Sequence, residues 1–179
     1  AYRYVLLAEK KWPSFNQKNR GKALVYGFDS LAIQQLKLKV SSLFYANCAS
    51  SNMANDFQKF INYHPWSPLC FSATHKRDSL LFENVKIAAT SKAVIDFMVS
   101  YPESYLFLAA KDLFDNLQYS EATISGKIID YTLFIQNFSS NKNVSKAEDQ
   151  IYKLSVAEKS INAYQNFLNT FPKNHNFNK

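Results

Sequence analysis

Four stretches of the chain carry apolar or aromatic residues at i, i+3, i+4 and i+7. They are Phe57, Phe60, Ile61 and His64; Val94, Phe97, Met98 and Tyr101; Tyr131, Phe134, Ile135 and Phe138; and Tyr164, Phe167, Leu168 and Phe171. That spacing gathers side chains on one face of a 3.6-residue helix and would scatter them across both faces of a strand. Pro65, Pro102 and Pro172 follow directly. They end each helix, because proline lacks the amide donor and disfavours α conformation in the residue before it. Ser51, Thr90, Ser125 and Ser160 stand where N-caps are expected.

The four stretches are copies of one pattern. Phe60, Phe97, Phe134 and Phe167 stand 37, 37 and 33 residues apart. Between them lies a second, longer predicted helix, marked by Leu43, Leu80, Leu117 and Leu154 at steps of 37 and by Ala73, Ala110 and Ala147 at the same step. In the middle copy its buried stripe is expected to be Leu106, Ala110, Leu113 and Leu117, with the alanine allowing two helices to approach closely. The step shortens after Leu154, which assigns a loss of about four residues to the connection near Ala157–Ser160, since connections tolerate deletion best. A helix pair repeated at this interval cannot bury both apolar faces alone, whereas stacked pairs can. The expected fold is all-α: an α-solenoid of antiparallel helix pairs with a period of about 37 residues.

The expected organisation is a lead-in segment over 1–28, four units at 29–65, 66–102, 103–139 and 140–172, and a tail at 173–179 leading to a further repeat or domain. Within the lead-in, residues 1–8 read as helix and residues 12–28, with Trp12-Pro13, Gly21 and Gly27, as an irregular connection. Only 3 glycines occur, against roughly 12 at ordinary usage, so folds rich in tight turns or glycine-lined phosphate loops are disfavoured. No apolar run reaches the ~18 residues of a membrane-spanning helix.

The repeat, with aromatic-x-x-Phe-Leu-x-x-aromatic-Pro as in Tyr164–Pro172 and an alanine in the first helix, resembles the tetratricopeptide-like repeats, over about residues 29–172. The closest variant is common in bacterial cell-envelope proteins, where such arrays serve as assembly platforms. The resemblance implies a periplasmic or envelope setting and a partner that is a protein or peptide.

Searches for chemistry return ordinary structural roles. Gly21-Lys22 lacks the spacing of a phosphate loop. His64 fills the slot of Tyr101, Phe138 and Phe171, so a packed ring is expected there. His75 with Asp78, Cys48 and Cys70 has no paired-cysteine spacing to support a metal site, and Cys48 reads as an inert buried thiol. Asp78 and Asp115, 37 apart, suggest a structural job such as pairing with Arg77 or Lys111. The expectation is therefore a protein that is not an enzyme, has no cofactor or small-molecule substrate, and binds its partner on the concave face. The stripe proposed for that face gives His75 and Ser79, Asp112 and Asn116, and Asp149 and Lys153. The net charge of +7 brings nucleic acid into view, but the basic residues look scattered and the aromatics fall on core positions. A helical-repeat nucleic-acid-binding module is thus the alternative, together with a regulatory segment of a larger enzyme.

Overall fold

The computed structural model describes residues 2–178. Ten α-helices and one 3₁₀ turn make up the described residues, with no strand among them. They are α1 (Tyr2–Lys11), α2 (Gln17–Val25), α3 (Ser30–Ser51), α4 (Ala54–Tyr63), α5 (Cys70–Ala88), α6 (Ser91–Ser100), α7 (Phe107–Ala122), α8 (Ile128–Asn137), α9 (Val144–Ser155) and α10 (Ile161–Thr170). The chain divides into two compact units between Asn84 and Val85. In the first unit α3 packs on α1 and α4; in the second, consecutive helices from α6 to α10 pack on one another.

Local structure recurs at the intervals of the sequence. The short helices α4, α6, α8 and α10 each have ten residues. The aromatic or histidine that ends each one (His64, Tyr101, Phe138 or Phe171) leaves the helical region while its amide still donates to the carbonyl of the phenylalanine four residues back, at 2.8–2.9 Å. Those phenylalanines, 60, 97, 134 and 167, are 4% exposed or less, and Ala73, Ala110 and Ala147 are fully buried. Around Phe60, Phe134 and Phe167 rings of the preceding long helix meet edge-on or tilted, as Tyr45 does with Phe60 at 5.5 Å, Tyr119 with Phe134 at 5.2 Å and Tyr152 with Phe167 at 5.1 Å. Such pairs contribute beyond the burial of their area alone.

Three expectations are corrected. Residues 12–28 are not irregular: Trp12–Ser14 forms the 3₁₀ turn and Gln17–Val25 is helical. Asn16 explains the helix start, since its side chain accepts from the Asn19 amide at 2.9 Å and satisfies one orphan donor of the first turn. Ser51 and Ser125 are not N-caps. Met53 and Lys127 hold those positions without a side-chain cap, whereas Thr90 and Ser160 do accept from the amides of Ala93 and Ala163. Ser51 ends α3, and Ser125 bonds the Asp130 carboxylate.

The third correction concerns the shortened step. α7 has 16 residues and α9 has 12, while both are followed by five residues before the next helix. The missing residues came out of α9 itself. Four residues are close to one turn of 3.6, so the helix loses length while its buried face keeps nearly the same direction. A loss of two residues would have turned that face to the opposite side.

Candidate functional site

The residues after each short helix build a second repeated structure. Ser67, Ser104, Asn141 and Asn174 are all buried, at 5–9% exposure. The amide of each donates to the carbonyl three residues back, and its side-chain oxygen accepts from the amide two residues ahead, at 2.8–3.2 Å. This local hydrogen bonding is what short polar side chains do at turns. Three of the four also pin the turn to the preceding long helix. Ser41 Oγ donates to Ser67 Oγ at 2.7 Å, Asn141 Nδ2 donates to the Asp115 carbonyl at 3.1 Å, and Asn174 Nδ2 donates to the Glu148 carbonyl at 3.0 Å. The sequence carried this signal, Ser or Asn three residues after each helix-ending residue, and the search for catalytic spacings passed over it.

Between the long helix and that turn lies a groove, present three times at matching positions. In the first unit it holds about 320 Å³ between Val40 and Phe44 of α3 and Tyr63 and His64 at the end of α4. In the second unit the corresponding residues are Phe114, Gln118, Asn137 and Phe138 around a volume of about 530 Å³. A third groove of about 400 Å³ is lined by Ile151, Thr170 and Phe171, with Ile135 of α8 on its floor. Lys111 and Asp115 line the second groove, Glu148 and Lys173 the third. Where Val40, Phe114 and Ile151 stand, α5 carries Arg77 instead. Arg77 is bonded to the buried Asp78 by Nε at 2.8 Å and Nη2 at 2.6 Å, and reaches Gln58 Oε1 with Nη1 at 2.8 Å. This is the pairing that the recurrence of Asp78 suggested.

The stripe chosen from the sequence lies elsewhere on the long helices. His75 is half-buried with its ring 4.2 Å from Phe71, and Ser79 Oγ donates to the His75 carbonyl at 2.9 Å. Asp112 pairs with Lys142, and Asn116 accepts from Asn143 Nδ2 at 3.2 Å. Asp149 Oδ1 meets His175 Nε2 at 3.0 Å and Asn176 Nδ2 at 2.9 Å. Lys153 is exposed. Asp112, Asn116 and Asp149 are therefore engaged with the turn that follows the next short helix, and the stripe is partly occupied by the protein's own contacts.

His64 and His175 titrate in opposite senses. His64 is 1% exposed, stacked on Phe60 at 5.0 Å and tilted against Phe44 at 5.2 Å, and burial lowers its pKa. His175 lies with Nδ1 2.6 Å from Glu148 Oε2. Its bond to Glu148 outweighs the opposing effect of burial and, with the bond to Asp149 and the charges of both carboxylates, holds the imidazolium above the usual range. Burial, ahead of the charge of Asp56, raises the Cys48 thiol, whose Sγ donates to the Asp56 carbonyl at 3.3 Å. These are shifts of packed or paired groups, not of a nucleophile with a base. Among the described residues no three His, Cys, Asp or Glu side chains come together in a way that could hold a metal ion, and no helix is long and apolar enough to cross a membrane.

No protein-family model matches the chain, and no curated protein is similar to it.

Proposed function

We propose that the chain is a tetratricopeptide-like helical repeat, an α-solenoid of helix pairs, that acts without catalysis as a scaffold binding a protein or peptide. The observation that carries the reading is the groove found three times at the same repeat positions. The second and third grooves, both in the second unit, suit an extended ligand that places one side chain in each. In those two, apolar residues with a lysine and a carboxylate beside them favour a side chain with an apolar body, held in register by polar contacts from its backbone. The exposed parts of the stripe His75, Ser79, Asp112, Asn116, Asp149 and Lys153 supply further polar contacts beside the grooves. A bacterial cell-envelope setting belongs to the same reading through the repeat resemblance.

A random peptide library displayed against the full chain tests it. Selected peptides are expected to bind in the micromolar range typical of modest interfaces, and Gln118→Trp, which fills the second groove, is expected to weaken them about tenfold or more. Asp112→Ala with Lys153→Ala should act less strongly. Peptides whose affinity is unchanged by both sets of substitutions, in variants that keep their helical circular dichroism, would reject the grooves and the stripe together.

A further inference from the structure

The charge is not spread evenly. Residues 1–28 hold six of the 21 lysines and arginines but one of the 14 acidic residues, and so carry five of the seven net positive charges. That one acid, Glu9, is engaged by Lys37 at 2.8 and 2.9 Å. The same segment contains a helix that the fold does not cover: α2 buries none of its nine residues. From Lys10 to Leu31 only Trp12, Ala23 and Asp29 are even half-buried. A helix of nine residues has little stability in water by itself, and the exposed residues at its end are large and apolar. Leu24 is 55% exposed, Val25 82% and Tyr26 87%, and Leu31 in the first turn of α3 is 60% exposed.

We infer that α2 and the residues after it form a docking surface for an anionic lipid bilayer. Lys18, Lys22 and Val25 stand at i, i+4 and i+7 and share one face of the helix. Arg20, also exposed, is fixed against the 3₁₀ turn by donating from Nη2 to the Pro13 carbonyl at 2.7 Å. The basic groups would meet lipid phosphates while Leu24, Val25 and Tyr26, gathered at the C-terminal end of the helix, enter the boundary between headgroups and acyl chains. Nucleic acid would use the same charges but would need exposed rings on which bases stack. Tyr26 offers such a ring, while Phe15 and Phe28 lie against Trp12. Leu24, Val25 and Leu31 give a base nothing to stack on, and the lipid surface is the partner that uses both the charge and the aliphatic groups.

The full chain sedimented with vesicles tests this directly. It should pellet with phosphatidylcholine vesicles containing phosphatidylglycerol and stay in solution with phosphatidylcholine alone. Neutralising Lys18, Arg20 and Lys22 to glutamine should weaken attachment on the order of a hundredfold, from about a fivefold contribution per basic residue at an anionic surface. Val25→Asp with Tyr26→Asp should reduce it further in the intact helix. All five residues are exposed, so unchanged circular dichroism is expected and serves as the folding control. Equal pelleting with both vesicle types, no pelleting with either, or attachment indifferent to these substitutions would overturn the inference. Preferential binding of single-stranded RNA over vesicles at the same ionic strength would overturn it in favour of nucleic acid.

Discussion

Single residues carry the recurrence in this protein through their backbone angles as much as through their side chains. Asn52, Ala89, Gly126 and Lys159 lie at matching positions, just ahead of the short helices, and all four have φ between 47° and 67°. This left-handed region is open to glycine, tolerated by asparagine and strained for alanine and lysine, where it costs roughly 1–2 kcal/mol. Glycine occupies only one of the four positions, in keeping with a chain that has 3 in all. Relieving the strain should outweigh the extra freedom that glycine gives the unfolded chain. Ala89→Gly is therefore expected to stabilise the protein by about 0.5–1 kcal/mol, raising the midpoint of thermal unfolding by about 1–4 °C. A lowered midpoint would show that the left-handed residue is not strained. The positions were present in the sequence, but nothing in an alanine or a lysine announces positive φ. That had to come from the turn.

At the scale of elements, the turn after α10 and the helix α9 are joined through His175. Its two ring nitrogens face Glu148 and Asp149, both on α9, and those are the charged groups that act on it. Asn176, 1% exposed, donates to the same Asp149 oxygen. A histidine whose pKa is raised on folding binds its proton more tightly in the native state. The stability it contributes is complete below the ordinary value of 6.5 and is lost as pH rises through the raised native value. Hydrogen exchange of the amides of Asn174, Asn176 and Phe177 is the measurement. Protection, corrected for intrinsic exchange rate, should fall as pH rises above the ordinary histidine value of 6.5 in the native sequence and show no such step in His175→Gln. An equal pH step in that variant would assign the effect to another group. The corresponding pair in the preceding copy, Asp112 with Lys142, contains no histidine, so the turn after α8 provides an internal control.

Over the whole molecule, the two proposed activities draw on different parts and differ in their response to salt. Peptide held in the grooves rests on buried apolar contact, which is not screened, so its affinity should change little between about 50 mM and 300 mM salt. Attachment of the α2 region to anionic vesicles begins with charge and should weaken markedly over the same range. Titrating the full chain against both at the two salt concentrations separates them. Peptide binding that collapses with salt would mean the grooves act mainly through Lys111 and Lys173, not through their apolar floors.

The spacing of aromatics by itself determined that the chain is helical, where the short helices end and which phenylalanines and alanines are buried, because amphipathic periodicity and proline act locally and need no knowledge of partners. It also predicted the packed ring of His64 and the buried thiol of Cys48. Connections tolerate deletion best, which pointed to the loop, and only the structure could assign the four lost residues to a turn of α9. The uses of Asp112 and Asp149 were likewise undecided, since their partners Lys142 and His175 lie 30 and 26 residues away. The exposure of α2 was hidden as well. Whether a basic helix is covered depends on which elements fold back over it, and in this protein none of the described residues buries it.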